Sequence, residues 1–168
     1  VKGYAMAGIV EGPDFHFGHN RRGDVRMLKA AGPHLGFEVV VVDPVDVELE
    51  DCTLVEARST LIRWLLAQGR VVDAARCLGR PYSLASTVVK GEQRGRTIGV
   101  PTANLDLTQL YGRALPADGV YACLATLTDG SSFPAGVSIG NKPTFGGQPV
   151  KTIEAHLIGF HGDIYGQT

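Results

Sequence analysis

At Pro81 the periodicity of the sequence changes, and no single layer of secondary structure accommodates both halves. Before it, apolar residues recur at helical spacing; after it, they recur every second residue between Gly, Pro and Asp breaks. In the first half, residues 4–10 are small and apolar, and residues 38–43 hold Val39, Val40, Val41 and Val42 in a row. Such unbroken runs suit strands buried on both faces, as in a parallel sheet. Between them the residues predict a helix with Asp24 as its N-cap, Leu28 on the buried side and Gly32-Pro33 as the stop. That is a strand-helix-strand unit. A second predicted helix begins near Ser59 or Thr60, runs through Ile62, Leu65 and Leu66, and ends at Gly69. A third uses Val72, Ala75 and Leu78 and stops at Gly79.

After Pro81 the predicted strands cover residues 83–90, 119–128, 133–139 and 151–158, with a hairpin turn at Asp129-Gly130 and a break at 116–119. Short strands at this spacing argue for a small antiparallel barrel. The expected fold class is therefore α/β followed by all-β, with a domain boundary at 79–81 that divides the chain into 1–80 and 81–168. No internal repeat or low-complexity segment interrupts this order.

Hydrophobic residues make up 44% of the 168, enough for a real core and too many for disorder. A formal net charge of -1 supplies no electrostatic pull towards nucleic acid or a membrane surface, which leaves small molecules as the expected partners. Cys52, Cys77 and Cys123 are too widely spaced for a disulfide framework or a zinc site, and suit a reducing cytoplasm. No apolar run approaches the ~20 residues of a membrane span. The first residues carry no signal-peptide pattern and no initiator Met, and already read as a strand in mid-domain, so a truncated N-terminus is expected.

The stretch GEQRGRTIGVPTAN, residues 91–104, carries the most chemistry. Gly91, Gly95 and Gly99 leave backbone N–H groups open to phosphate oxygens, while Arg94 and Arg96 add positive charge. It lacks the Gly-Lys-Ser/Thr end of a Walker A loop, and a hairpin with solvated arginines is the plainer alternative. Further on, Ile153, Ala155 and Leu157 share one face of a strand, which puts Glu154 and His156 together on the other. A carboxylate so placed faces either a cleft or open solvent. His156 either orients Glu154 or fills space, and the latter is expected.

Several of these segments match, in order, a known family. Pro101, Thr102, Ala103 and Asn104 resemble the Pro-Thr-Ala-Asn signature of riboflavin kinases, and the Gly-Arg-x-x-Gly spacing before them matches too. Asp118, Gly119, Val120 and Tyr121 resemble the family's Asp-Gly-Val-Tyr strand start, and residues 138–147 (SIGNKPTFGG) its Ser-Ile-Gly-x-x-Pro-Thr-Phe-Gly loop. The resemblance implies that Thr102 and Asn104 present a hydroxyl and an amide oxygen as hard ligands to a magnesium ion on ATP phosphates. An ordinary turn with a capping Asn is the alternative. It also implies that Glu154, within Ile153–His156, is the catalytic base that accepts the proton of riboflavin's ribityl hydroxyl. Residues 160–167 (FHGDIYGQ) resemble an Asp-Leu-Tyr-Gly segment after which family members continue, so the Greek-key barrel is expected to lack its C-terminal end.

The first half is similar to the FMN adenylyltransferase module that bacterial bifunctional members of this family carry. Asp14 to Gly18, followed by Arg22, Gly23 and Asp24, resemble its Asp-Phe-x-Phe-Gly loop. Ser59, Thr60 and Arg63 match the end of an Ile-Ser-Ser-Thr-x-x-Arg motif, with Arg58 where the first Ser would stand. A hydroxyl pair at a helix start suits ATP phosphates, and it equally suits plain N-capping. The His-x-Gly-His motif of that module is absent, and His16 and His19 do not replace it, so this chain is not expected to adenylylate FMN by itself.

The resemblance thus implies an incomplete Rossmann-like nucleotidyltransferase portion before a riboflavin kinase barrel. The reaction implied is ATP-dependent conversion of riboflavin to FMN, with Mg2+ as cofactor and FMN-to-FAD conversion in the parent protein. A non-catalytic flavin- or nucleotide-binding remnant is one alternative. A nucleic-acid-binding barrel is another, disfavoured because aromatics are only 7% and no strand interleaves them with Lys or Arg.

Overall fold

The computed structural model describes residues 6–91, 101–142 and 150–168. Contacts divide the chain into two compact units, one ending at Ala57 and the other beginning at Arg58.

In the first unit, β1 (Gly8–Glu11) leads through the short pair β2 (His16–Phe17) and β3 (Gly23–Asp24) into α1 (Val25–Leu35) and then β4 (Glu38–Val41). β4 lies parallel to β1, with Ile9 opposite Val39, completing a strand-helix-strand unit. β5 (Asp46–Glu48) and β6 (Leu54–Glu56) form a separate antiparallel pair. α1 starts where its cap predicts: the Asp24 carboxylate accepts the Met27 amide at 2.9 Å. Its stop lies further on than Gly32-Pro33. The helix runs through both residues to Gly36, which takes φ 78°, and both Gly36 and Phe37 donate to the Gly32 carbonyl. Gly32 serves close packing instead, since a Cβ there would lie 2.6 Å from the Phe37 carbonyl oxygen. Nor are the strands buried on both faces. Val10 is 65% exposed and Val40 43%, because among the described residues α1 packs on a sheet of only two strands.

The second unit opens with α2 (Ser59–Ala67) and α3 (Val71–Leu78), closed by Gly69 and Gly79 at positive φ. α3 buries Asp73 and Ala74 and turns Val72 outwards, so its inner face is rotated from the one that its apolar spacing predicts. Arg70 Nε donates to the buried Asp73 carboxylate at 2.7 Å, which compensates that burial. Both helices belong to the same unit as the strands that follow. The Ala117 amide donates to the Leu66 carbonyl at 3.0 Å, and Tyr121 Oη donates to the Ala117 carbonyl at 2.6 Å.

The strands are β7 (Val88–Val89), β8 (Ala103–Leu105), β9 (Gly119–Thr126), β10 (Ser132–Lys142) and β11 (Val150–Leu157). They form one antiparallel sheet in the order β7-β8-β11-β10-β9. The β9-β10 hairpin closes at Asp129-Gly130, where Gly130 takes φ 85° and the Asp129 carboxylate accepts the Ser131 amide at 2.8 Å. Only two residues of the predicted strand at 83–90 are regular. Upstream of them the backbone is held by other bonds, as where the buried Ser86 hydroxyl donates to the Asp106 carbonyl at 2.7 Å. The core is built on Leu110, Ile139 and Ile153, with Leu105, Tyr121 and Val137 packed against them. Among the described residues no helix is long and apolar enough to cross a membrane.

Candidate active site

Three residues of β8 set the geometry. Ala103 lies opposite Ala155 on β11, and Asn104 lies opposite Glu154. Ala103 and Ala155 are buried, so strand alternation sends Asn104 and Glu154 side by side to the other face. Thr102 precedes Asn104 by two residues and shares that face. Its hydroxyl donates to Glu154 Oε2 at 3.1 Å. The second oxygen of the same carboxylate, Oε1, is ion-paired with Lys142 at the end of β10. His156, next on this face of β11, donates from Nδ1 to the Pro101 carbonyl at 2.8 Å. It therefore fixes the backbone just before Thr102, and neither merely fills space nor touches Glu154 through a bond of its own.

The Lys142 hydrogen bond is the largest influence holding the Glu154 carboxyl below the usual carboxylate range. Partial burial opposes it, and the Thr102 hydroxyl adds to the lowering. Glu154 is thus ionised at neutral pH and acts only as an acceptor. Because Thr102 directs its proton at that carboxylate, both lone pairs of its hydroxyl oxygen remain available to a cation. Beside it, the side chain of Asn104 lies against the backbone of Gly91. A Cβ at Gly91 would stand 2.3 Å from Asn104 Nδ2 and 2.8 Å from its Oδ1. A hydroxyl and an amide oxygen two residues apart, with a glycine leaving room for the amide, fit a small oxygen-seeking divalent cation.

Gly91→Ala tests that fit. The atoms it would displace are the end of one flexible side chain, so the fold should keep its melting temperature while Asn104 is turned away. We expect affinity for a divalent cation to fall by about 10–100-fold, the usual cost of disturbing a group that orients a metal ligand. Unchanged cation affinity would remove Asn104 from the site.

Around these residues, Asn141 Nδ2 donates to Asp118 Oδ2 at 2.7 Å and Lys151 ion-pairs with the same carboxylate. These bonds tie the start of β9 to the end of β10 and the start of β11. A cleft of about 510 Å³ lies between Val88, Ala103, Ala155 and Leu157 on one side and residues 160–165 on the other, with Thr102 on its border. Its volume is that of a small-molecule site, and it opens on the Ala103 and Ala155 face of the sheet, opposite Asn104 and Glu154.

Gly91, Thr102, Asn104 and Glu154 are thus brought together. Gly95, Arg96 and Gly99 lie outside the described residues, as do Arg94 and residues 143–147 of the SIGNKPTFGG stretch. Ser59 and Thr60 occupy the exposed first turn of α2 with Arg63 one turn on. The N-cap position belongs to Arg58, with no side-chain cap bond. Asp14 lies in the other unit, where its carbonyl accepts His16 Nδ1 at 2.7 Å. Lys142 was not among the residues singled out from the sequence. Its signal is parity: residues 138, 140 and 142 of β10 share the face of Glu154, which pairs with Ser138.

Residues 78–168 match the model of a family described as riboflavin kinase, and residues 1–53 match one described as FAD synthetase. A bifunctional riboflavin kinase/FMN adenylyltransferase of Pseudomonas fluorescens is 37% identical over 98% of this chain and 50% of its own length. The protein of that description from Haemophilus influenzae is 38% identical over 93% of this chain and 48% of its own. For Escherichia coli K12 the figures are 33%, 99% and 50%. A solved structure titled as a macrolide-efflux protein from Streptococcus pneumoniae superposes with a TM-score of 0.70 at 36% identity, covering 93% of this chain and 47% of that one. The chain spans about half the length of the curated relatives it matches. The sheet that joins Thr102, Asn104 and Glu154 falls wholly within the segment matched at 78–168, more than half of the residues, and the chain belongs to the riboflavin kinase family.

Proposed function

We propose that this chain carries the kinase site of a protein that phosphorylates riboflavin to FMN with ATP. The observation that carries the reading is the Thr102 hydroxyl bonded to Glu154 at 3.1 Å, with Asn104 opposite that glutamate. In the reaction the ribityl hydroxyl oxygen bonds to the γ-phosphorus, and the bond from that phosphorus to the β,γ-bridging oxygen breaks. ADP departs, and the hydroxyl proton passes to the Glu154 carboxylate. Such a transfer rests mainly on positioning and charge neutralisation, so a base held below the ordinary carboxylate range suffices when it is well aimed.

Thr102 Oγ1 and Asn104 Oδ1 are the atoms that would hold Mg2+. When bound with ATP, the ion supplies neutralisation of phosphate charge. Gly91, with Gly95, Arg96 and Gly99, is assigned to the phosphates of ATP.

Residues 1–80 are assigned to the end of a Rossmann-like nucleotidyltransferase domain and 81–168 to a Greek-key kinase barrel. The division by descent then differs from the division by contacts at Ala57, because α2 and α3 pack on the barrel side. Asp14, Ser59, Thr60 and Arg63 are the positions of the first portion assigned to ATP, and the parent protein converts FMN to FAD. Support for this half is the parallel β1-α1-β4 unit and the exposed start of α2. The unpaired thiols of Cys52, Cys77 and Cys123 suit a cytoplasmic location.

Supplying riboflavin and Mg-ATP to the full-length protein should yield FMN and ADP one for one. Failure to form FMN, or formation unaffected by chelating the metal, would contradict the proposal.

A further inference from the structure

Resting on the kinase reading above, we infer that Lys142 is a positioning residue that fixes the direction of the Glu154 carboxylate. The terminal torsion of a glutamate is broad and roughly two-fold, so one anchored oxygen leaves the group free to swing. Here the oxygens have separate anchors: Thr102, the residue before β8, on Oε2, and Lys142 of β10 on Oε1. They approach from either side of β11. Together they define the plane of the carboxylate, and with it the direction in which a lone pair meets an incoming hydroxyl.

The sheet is arranged to let Lys142 reach. Lys142 lies opposite Val150 and Ser138 opposite Glu154, so lysine and glutamate share a face but stand four residues out of register. Between them on β10 is Gly140, where even a Cβ would meet nothing within 4 Å. That gap leaves room for the lysine stem to lie along the strand. Lys151 does not duplicate the role. It has the opposite parity on β11 and is engaged by Asp118.

The test compares Lys142→Met, Lys142→Arg, Glu154→Gln and the Lys142→Met/Glu154→Gln double variant in the full-length protein. Methionine keeps the apolar stem without the charge. Lys142→Met should lower kcat by about 10–100-fold, the usual cost of losing a group that orients an active residue, while KM for riboflavin and for Mg-ATP stays unchanged. Lys142→Arg should recover most of the loss. Acting through Glu154, Lys142→Met should add no further loss once Glu154 is glutamine. An unaffected kcat, a raised KM for Mg-ATP with kcat retained, or a full additional loss in the double variant would each overturn the inference. If Lys142→Met melts early, the arginine variant and the double variant still decide. Absence of FMN formation by the wild type would instead strike the kinase reading, whereas an active wild type beside an indifferent Lys142→Met strikes this inference alone.

Discussion

Glu154→Gln should reduce kcat for FMN formation by about 10²–10⁴-fold, the range that a positioned general base supplies. The substitution changes one atom in a side chain held by Thr102 and Lys142, and an amide oxygen still accepts from either. The sheet and the placement of Thr102 and Asn104 should therefore persist, with KM for both substrates little altered. What is lost is the ability to take up a proton. Initial rates of FMN formation in the full-length protein measure this directly. A variant that keeps wild-type kcat would show that the proton goes elsewhere and would leave Glu154 as no more than a partner of Lys142.

The second large effect is on stability. Ile153 is 1% exposed and forms the core with Leu110 and Ile139, immediately beside Glu154 on β11. Ile153→Ala removes buried methyl groups and leaves a cavity, which should cost about 2–5 kcal/mol. Ile153→Val, the smaller deletion, should cost about 0.5–1.5 kcal/mol. Because Ile153 and Glu154 share a strand, loosening one face should also release the other, and the midpoint of thermal inactivation of kinase activity should fall in the order wild type, Val, Ala. Three equal midpoints would mean that this core does not support the site.

Much of the architecture was legible because its causes are local. Asp24 caps α1, Gly79 ends α3, and Asp129-Gly130 closes the β9-β10 hairpin, each through a bond or dihedral that a few residues determine. Period-two patterning also held on β11, where Ile153, Ala155 and Leu157 are buried and Glu154 and His156 are not. β8 escaped notice as a strand, since three residues carry no measurable period. Its state follows from partners at β7 and β11. The inner face of α3 was misplaced for a similar reason. A buried Asp73 is acceptable only because Arg70 pairs with it, and apolar spacing cannot register that pairing. The end of α1 failed on a competition between two glycines, with Gly32 held by packing and Gly36 by its dihedral.

At the site, the grouping of Thr102, Asn104 and Glu154 was accessible through motif resemblance, whereas Lys142 required the strand register. Parity on β10 becomes informative only once Ser138 is known to face Glu154.

In the proposed reaction Thr102, Asn104 and Glu154 frame one metal-dependent transfer site. A crystal structure of the full-length protein with Mn2+, a non-hydrolysable ATP analogue and riboflavin tests this directly, because anomalous scattering locates the metal. The ion should lie about 2.0–2.3 Å from Thr102 Oγ1 and Asn104 Oδ1, with a Glu154 oxygen within about 3.2 Å of the ribityl hydroxyl. A metal bound away from β8, or a ribityl chain out of reach of Glu154, would contradict it.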